Sequence, residues 1–256
     1  MPIISFDFFW ITLAPTWYGL MYALWFLIGY SIIKWKKTFS NTELDSLFLS
    51  IFVAVILWGR IGYVLLYNAS YFLAHPIEIF QTWNGGMSFH GATLAVICSV
   101  ILWSRKYKKS LFSVWDAIAT VVPIGIWLGR IGNYINGELY GFAGYTGPFA
   151  IIHDGIRYFP TPLLEACFEW IVLFTIVNVI ARKYAPRNGY ASATFLIWYG
   201  VIRFLVEFFR IPDAQIWYLF STWWLTLGQI LSVPLIIFGI IIILSLQKQD
   251  KSHELK

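Results

Sequence analysis

The sequence predicts an all-α fold: a polytopic membrane bundle of seven transmembrane helices, forming a single integral membrane domain over residues 1–256. Composition is the first reason. Of all residues, 59% are hydrophobic and only 12% are charged, whereas about a quarter are charged in soluble domains. The second reason is a series of long apolar runs, and the third is the uneven placement of basic residues between them. An ordinary soluble domain is therefore excluded.

Seven apolar segments are candidate membrane spans, because about 20 residues of helix cross the hydrocarbon core of a bilayer. The third and fifth segments are short for such a crossing. The predicted spans are 16–34, 44–67, 88–104, 111–130, 165–181, 190–208 and 222–246.

Basic residues predict the orientation, because they mark the cytoplasmic side of membrane proteins. Most of the 18 basic residues follow the first, third, fifth or seventh predicted span. The amino terminus is therefore expected outside and the carboxyl terminus inside, and seven crossings fit this arrangement. The residues assigned to the cytoplasmic side are Lys34, Lys36, Lys37, Arg105, Lys106, Lys108, Lys109, Arg182, Lys183, Arg187, Lys248, Lys251 and Lys256.

The remaining basic residues are all arginines, and none lies in a predicted cytoplasmic loop. Arginine presents a planar fork of donors suited to phosphate and is less strongly hydrated than lysine. Snorkelling of the side chain to the interface explains one or two such residues, but not the whole set. We therefore expect an anionic ligand in the outer leaflet. The arginines are Arg60, Arg130, Arg157, Arg203 and Arg210.

The tetrapeptide Gly-Arg-Ile-Gly occurs twice, at 59–62 and 129–132, towards the outer ends of two spans that run in the same direction. This indicates either a parallel internal repeat that places two like arginines around one cavity, or a chance similarity. Four residues do not decide between the two.

The stretch from Gly129 to Gly141 places Arg130, Asn133 and Glu138 directly after an apolar run. Polar groups at the end of a membrane helix are costly unless satisfied, so they indicate a functional site. The alternative is a glycine-rich interfacial loop with a snorkelling arginine. Residues 131–164 are expected to form a periplasmic arm or cap between the fourth and fifth spans.

His90 follows a glycine-rich turn at the start of the third span. Ser88 is a plausible N-cap, which would place His90 in the first helical turn. A neutral imidazole there can act as a general base. The alternative is a histidine that only packs or donates a hydrogen bond, which is the commoner role of a lone membrane histidine.

In the sixth span, Tyr199, Arg203, Glu207 and Arg210 are spaced to share one helix face. Arg203 and Glu207 can pair one turn apart. In a structural interpretation this is a buried ion pair that fixes helix orientation. In a functional interpretation Glu207 orients Arg203 towards a phosphate, and the extra cation, Arg210, favours this second interpretation.

Five segments together resemble the prolipoprotein diacylglyceryl transferase family of the bacterial inner membrane. The match at 130–141 is close to the family signature, and the resemblance covers nearly the whole chain. The segments are Trp17 to Tyr22, Gly59 to Tyr67, 84–91 (Asn-Gly-Gly-Met-Ser-Phe-His-Gly), Gly129 to Gly141, and Tyr199 to Ala214.

The resemblance implies an enzyme that transfers the diacylglyceryl group of phosphatidylglycerol to the lipobox cysteine thiol of prolipoproteins and releases glycerol 1-phosphate. This reaction is the first step of lipoprotein maturation. The implied partners are phosphatidylglycerol, the prolipoprotein signal peptide and membrane lipids, with no nucleic acid, metal or cofactor. The implied location is the cytoplasmic (inner) membrane, with a site that opens towards the outer leaflet.

Motif positions assign the expected site residues. Tyr18 begins the first span at the outer surface, where tyrosines are common whether or not they have a function. Only the resemblance indicates a functional role for it. The expected catalytic residues are Tyr18, His90, Arg130 and Arg203. The expected substrate-binding residues are Arg60, Arg130, Asn133, Glu138, Gly141, Tyr199, Glu207 and Arg210.

The stretch 159–165 departs from the family pattern. Members often have His-Pro-Thr-Gln-Leu-Tyr-Glu there, but Phe159 stands in place of the histidine and Leu164 in place of the tyrosine. A mechanism that needs a second histidine is therefore not carried over. The arm also looks short for docking a prolipoprotein.

In the expected mechanism a thiolate attacks the glycerol carbon while the phosphate leaves. His90, directly or through water, accepts the thiol proton, and Arg130 and Arg203 stabilise the phosphate as it gains charge. Alternatively, an arginine assists deprotonation and His90 only shapes the site.

Two other classes of function remain open. A transporter or channel would use the arginines to line an anion path, but it favours ionisable groups near the midplane rather than towards the outer side. A lipid-binding or scaffold protein would have no need of the His90 motif.

Overall fold

The structure is a computed structural model that describes residues 3, 6–8, 11–13, 15–82, 85–184, 188–211 and 226–254 of the 256. Most of the described chain is helical, which agrees with the predicted class. Several predicted features lie outside the described residues: Asn84, Arg187, Lys256, the 212–214 end of the family motif and the first residues, 222–225, of the seventh span.

Helices form most of the described part of the chain, which also contains two short hairpins. The α-helices are α1 Trp17–Trp35, α2 Asn41–Tyr67, α3 Ala69–Ala74, α4 Phe89–Lys106, α5 Leu111–Ala119, α6 Val122–Asn136, α7 Thr161–Cys167, α8 Thr175–Lys183, α9 Tyr190–Val206 and α10 Leu227–Glu254. Two 3₁₀ helices (Pro76–Phe80 and Glu207–Phe209) and a π-helix (Phe168–Phe174) continue or link them. The strands are β1 Phe6–Phe8, β2 Ile11–Leu13, β3 Ile151–His153 and β4 Ile156–Tyr158, and they pair antiparallel as β1–β2 and β3–β4.

Among the described residues, four helical segments are long and apolar enough to cross a membrane, judged by length and composition. A fifth candidate is the α5–α6 pair, which bends by 41°. The bend falls just before Pro123, whose ring suits the first turn of a helix but cannot donate a hydrogen bond. The four segments are Asn41–Tyr67, Thr161–Lys183, Tyr190–Phe209 and Leu227–Asp250.

Helices α1 and α4 coincide with the first and third predicted spans, but they do not reach the same apolarity. Tryptophan and tyrosine recur through α1, and α4 contains His90, Arg105 and Lys106. Both helices carry the interfacial residue types that are common near membrane surfaces. The count of seven crossings therefore stays a prediction.

The chain divides into two compact units, which we describe one at a time. Unit one comprises Met1–Ile32 and Asp116–Lys256, and unit two comprises Ile33–Trp115. The single membrane domain expected over 1–256 likewise stays a prediction.

In unit two, α2 packs against α4 through glycines. A methyl group on Gly62 would lie 2.9 Å from the Cα atom of Gly91, and the amide of Ser88 donates to the Gly59 carbonyl at 2.7 Å. The glycines of the first Gly-Arg-Ile-Gly copy thus let two helix backbones approach closely.

In unit one, α9 packs along α10 and meets the π-helix and α8 in a buried apolar cluster. A methyl group on Gly200 would lie 2.7 Å from Ile236 Cγ1. Close helix contact therefore requires glycine at this crossing. The buried residues of the cluster are Ala119, Leu173, Val177, Ala191, Ile202 and Val206.

Asp116 of α5 caps the start of α9. Its carboxylate accepts hydrogen bonds from the amide of Gly189 at 2.7 Å and from the amide of Ser192 at 2.8 Å, and the Ser192 hydroxyl donates to it as well. The first-turn amides of a helix have no partner within the helix. Asp116 supplies that partner from another segment, which ties α5 to α9.

We expect Asp116→Ala to lower the free energy of unfolding by about 1–2 kcal/mol, because it leaves these donors without an acceptor. The measurement is thermal unfolding of the purified protein in detergent. Ser31→Ala is the control, since the Ser31 hydroxyl only donates to the Leu27 carbonyl of its own exposed helix turn. Equal unfolding midpoints for the two variants would contradict the capping role.

Candidate active site

The end of α6 brings three predicted site residues into one place. Gly137 adopts a left-handed conformation, with φ of 69°, and ends the helix. The amide of Glu138 then donates back to the Asn133 carbonyl at 2.9 Å. Glycine is the usual residue at such a helix end, because a side chain strains this conformation. The turn returns Glu138 to the side of Asn133.

Tyr18, Asn133 and Glu138 form a hydrogen-bonded group, here named the polar triad. The Tyr18 hydroxyl donates to Glu138 Oε2, and the Asn133 side-chain amide donates to the Tyr18 oxygen. Asn133 Nδ2 also lies 3.4 Å from Glu138 Oε2. Gly132 lies against the Tyr18 ring, where an added methyl group would be 3.1 Å from Cδ1 and Cε1. Three residues chosen from the sequence are thus in mutual contact.

Arg130 and Arg203 meet the same buried carboxylate. Arg130 Nε lies 3.2 Å from Glu165 Oε2, and Arg203 Nη1 lies 3.3 Å from Glu165 Oε1. Helices α6, α7 and α9 supply these three side chains. The two arginines expected to handle phosphate therefore lie side by side.

Each arginine has a second carboxylate partner. Arg130 donates to Glu169 through Nε at 3.2 Å and Nη2 at 3.4 Å, which engages both oxygens of that carboxylate. Arg203 pairs with Glu207 one helical turn along, as the sequence predicts. We call these five residues the charge cluster.

Burial within the charge cluster is uneven. The side chains of Glu165 and Glu169 are each 1% exposed and that of Glu207 is 5% exposed, whereas Arg130 and Arg203 are 13% and 16% exposed. Charges buried to this degree need partners, because desolvation would otherwise be prohibitive. The carboxylates are the enclosed part of the cluster and the guanidinium groups are its more accessible part.

Sequence reasoning missed Glu165 and Glu169 as site residues. Two acidic residues four positions apart at the start of an apolar span were the available signal, because intramembrane carboxylates are costly and by default functional. Glu169 lies in the π-helix Phe168–Phe174. π-helical turns are rare in proteins, and those that occur are often found at functional sites.

Arg210 corrects one prediction from the sixth span. The helix ends at Val206 and tightens to a 3₁₀ turn over Glu207–Phe209, and Arg210 is extended, with φ of −102° and ψ of 145°. The predicted shared helix face is therefore wrong for Arg210. Arg210 forms an antiparallel bridge with Gly141, which requires extended backbone, and Pro212 disfavours helical geometry in the residue before it, Ile211. Tyr199 stays within α9, where its ring stacks on Phe195.

Gly141 joins the segment after α6 to the end of the sixth span. It forms an isolated antiparallel bridge with Arg210, and its amide donates to the Phe159 carbonyl at 2.8 Å. A methyl group there would lie 2.5 Å from the Thr161 hydroxyl oxygen and 3.1 Å from Phe159 Cβ. Gly141 is thus required for close packing between these segments.

Phe159 is a packing residue. Its ring stacks on Phe142, with centroids 5.0 Å apart, and contacts Tyr145 edge-on. Close by, Arg157 donates to the carbonyls of Tyr145 and Gly147. The bonds of Arg157 therefore hold the loop before the β3–β4 hairpin.

His90 and Arg60 belong to unit two, so the structure does not show them together with the residues above. Ser88 caps α4 by accepting a hydrogen bond from the Gly91 amide at 3.2 Å, and His90 is exposed in the first helical turn. That predicted placement of His90 is confirmed.

The Arg60 guanidinium group binds backbone carbonyls. Its guanidinium donates to the carbonyls of Glu78, Ile79, Gly85 and Gly86 at 2.5–3.1 Å, and the residue is 6% exposed. Arg130, in the second copy of the tetrapeptide, instead contacts carboxylates. The hydrogen bonds of Arg60 hold the 78–86 segment in place. A substrate-binding role for Arg60 stays a prediction.

Two further features bear on what the site could hold. A small cavity beside the polar triad is lined by Tyr18, Met21, Tyr22, Gly125 and Gly129. The described residues contain no group of three or more His, Cys, Asp or Glu side chains suited to a metal ion.

Comparison of the sequence with known proteins places this chain in a family. The family model described as prolipoprotein diacylglyceryl transferase matches residues 7–245. A Proteus mirabilis (strain HI4320) protein is 41% identical over 267 residues, covering 92% of this chain and 89% of the relative. A Hydrogenovibrio crunogenus protein is 43% identical over 234 residues, covering 87% and 86%. A Pseudomonas syringae protein is 40% identical over 248 residues, covering 92% and 90%. All three are named phosphatidylglycerol–prolipoprotein diacylglyceryl transferase. The family match predicted from the sequence motifs is confirmed: the chain belongs to the prolipoprotein diacylglyceryl transferase family.

Proposed function

We propose that this protein transfers the diacylglyceryl group of phosphatidylglycerol to the lipobox cysteine thiol of prolipoproteins and releases glycerol 1-phosphate. The observation that carries this proposal is the buried Glu165 carboxylate between Arg130 and Arg203. It holds two partly exposed guanidinium groups next to each other, as recognition of a lipid phosphate requires. The names of the relatives agree with this substrate pair.

The reaction forms one bond and breaks one. Sulfur bonds to the glycerol carbon that carries the phosphodiester, the carbon–oxygen bond to phosphate breaks, and the thiol proton passes to a base. Negative charge on the phosphate grows as it leaves. Arg130 and Arg203 therefore interact more strongly with the transition state than with the bound lipid, which is the condition for lowering the barrier.

The carboxylates of the charge cluster act by orientation. Glu169 holds Arg130 through two hydrogen bonds, and Glu207 holds Arg203. A donor fixed before the reaction loses little entropy when the phosphate charge develops. Glu165 keeps the two guanidinium groups at a common position despite their like charge.

The polar triad would place the Tyr18 hydroxyl at the lipid. Asn133 and Glu138 hold that hydroxyl from two sides, and the adjacent cavity has apolar lining from Met21 and the glycines of α6. We assign Asn133 and Glu138 to substrate binding, together with Gly141, Tyr199, Glu207, Arg60 and Arg210. Tyr18 acts with Arg130, Arg203 and His90 in catalysis.

His90 is proposed to accept the thiol proton. Its place in the exposed first turn of α4 leaves the imidazole accessible to a substrate. In the alternative mechanism an arginine assists deprotonation, and His90 only shapes the site.

The protein is proposed to span the bacterial inner membrane seven times, with its amino terminus outside and residues 131–164 as a periplasmic arm. Basic residues in the last turns of α1, α4 and α8 support this orientation. The site would then open towards the outer leaflet, where prolipoprotein and phosphatidylglycerol meet.

Purified protein in detergent, given labelled phosphatidylglycerol and a lipobox peptide, tests the proposed function. We expect the label on the peptide cysteine and release of glycerol 1-phosphate, with no transfer to a peptide carrying serine instead. Lipid binding without transfer would instead indicate a lipid-binding protein. Movement of an anion across liposomes without transfer would indicate a transporter.

Replacing Arg130 or Arg203 with alanine should lower kcat by at least about 10²–10³-fold, because each change removes a donor to the leaving phosphate. The measurement is steady-state transfer to the lipobox peptide. Arg157→Ala is the control, since Arg157 bonds only to arm carbonyls among its described partners. Mild and equal losses in all three variants would contradict the roles of Arg130 and Arg203.

Glu169→Gln should lower kcat by about tenfold or more with a smaller change in KM, because the charge-assisted hold on Arg130 is lost while the side-chain shape stays. Glu43→Gln is the control, since Glu43 pairs with Lys109 in unit two. An unchanged kcat in folded Glu169→Gln protein would show that Arg130 needs no such orientation.

His90→Gln should slow transfer by about 10²–10⁴-fold if the imidazole is the general base, because glutamine cannot accept the thiol proton. The rate measured across pH separates the two mechanisms. In the base mechanism the loss diminishes at high pH, where thiolate forms without assistance. A small loss that is constant with pH would favour a shaping role for His90.

A further inference from the structure

The first turn of α10 is held by a reciprocal cap. The amide of Thr226 donates to Gln229 Oε1 at 3.0 Å, and the amide of Gln229 donates to the Thr226 hydroxyl at 3.3 Å. Both residues are buried, at 4% and 0% exposure. Such a capping box satisfies otherwise unpaired amides of the first turn and fixes its backbone. Gly228 therefore lies in a turn with little freedom to move.

Gly228 lies against the carboxylate of Glu207. A methyl carbon added to Gly228 would be 2.8 Å from Glu207 Cδ and 2.9 Å from each carboxylate oxygen. Gly228 is helical and does not have a positive φ, so its backbone conformation would accept any residue. Space, rather than conformation, is the reason for glycine at this position.

Glu207 also contacts Arg203. The carboxylate is paired with Nη1 of that arginine, and the Glu207 side chain is 5% exposed. The buried Glu207 carboxylate thus contacts both α10 and the guanidinium group. A side chain on Gly228 that displaced the Glu207 carboxylate would therefore also disturb its ion pair with Arg203.

We propose that Gly228 is a positioning residue for the transfer reaction: the missing side chain leaves the space in which Glu207 orients Arg203. This inference rests on the function proposed above and extends it to a residue on a different helix. Gly228 touches no reacting atom and acts only through Glu207.

Another glycine of the same helix pair has a different role. A methyl group on Gly239 of α10 would lie 2.8 Å from the Ala193 carbonyl oxygen and 2.7 Å from Ile197 Cγ1. A backbone carbonyl within α9 cannot move without moving the helix, so a side chain at Gly239 would disturb helix packing and lower stability. At Gly228 the obstacle is the end of the Glu207 side chain, which can move, so a side chain there would disturb the orientation of Arg203 instead.

The first test compares Gly228→Ala with Gly239→Ala in the purified protein. For Gly228→Ala we expect kcat to fall by about tenfold or more, with a smaller change in KM for phosphatidylglycerol. Its thermal midpoint should fall less than that of Gly239→Ala, because alanine is also the better helix former. Gly239→Ala should lose thermal stability while its folded fraction keeps the kcat of the unmodified protein.

The second test is a double-mutant cycle with Glu207→Asp, which shortens the side chain by one methylene and makes room for the methyl group. We expect Gly228→Ala to cost at most about threefold in kcat in the Glu207→Asp background. Additive losses would overturn the proposal, because they would show that Gly228 acts independently of Glu207.

Three results are distinguishable. Absence of transfer by the unmodified protein would refute the proposed function itself. Normal kcat in Gly228→Ala, with transfer intact in the unmodified protein, would overturn only the positioning role. Failure of Gly228→Ala to fold would also overturn it, since the inference requires that the fold tolerate the methyl group.

Discussion

The sharing of one buried carboxylate by two arginines is the interaction on which unit one depends. Glu165 is almost fully enclosed and contacts both Arg130 and Arg203. In an apolar bundle each of these charges would be prohibitively costly alone. Three chain segments must therefore converge to neutralise one another: α6, the run from α7 into the π-helix, and α9. The same convergence that makes the charges tolerable also concentrates guanidinium groups where a phosphate could meet them.

Much of the fold follows from local pattern, and some of the site does too. Apolar runs predicted the helices, the serine before His90 predicted the α4 cap, and i,i+4 spacing predicted the Arg203–Glu207 pair. Local patterns did not predict which side chains of different helices contact each other. Nothing local states that Glu165 should bridge two arginines, because these contacts join segments distant in sequence. The extended backbone of Arg210 likewise depends on its bridge to the distant Gly141, and Pro212 is the local signal that disfavours a longer helix. The family motifs named most residues of the site, including Glu207, but not the carboxylates Glu165 and Glu169 that hold Arg130.

The two Gly-Arg-Ile-Gly copies show how context decides the role of a motif. In unit two the glycines admit a neighbouring helix and Arg60 gathers four backbone carbonyls. In unit one Gly132 accommodates the Tyr18 ring, and Arg130 meets carboxylates. A guanidinium group that donates to four carbonyls stabilises a loop, whereas one held by carboxylates keeps its charge oriented in a partly exposed position. The two copies of the tetrapeptide therefore have different roles in the structure.

The π-helix over Phe168–Phe174 has a consequence for how this sequence can vary. A wide turn accommodates one more residue than an α-helical turn of the same length. The chain rotates less per residue in such a turn, and the shortfall is close to the roughly 100° that one α-helical residue contributes. Loss of a single residue from this segment would therefore restore regular geometry while α8 kept facing α9 much as it does now. The wide turn thus lets the number of residues between α7 and α8 change by one without loss of the packing beyond it, whereas the acidic residues that hold Arg130 must keep their places.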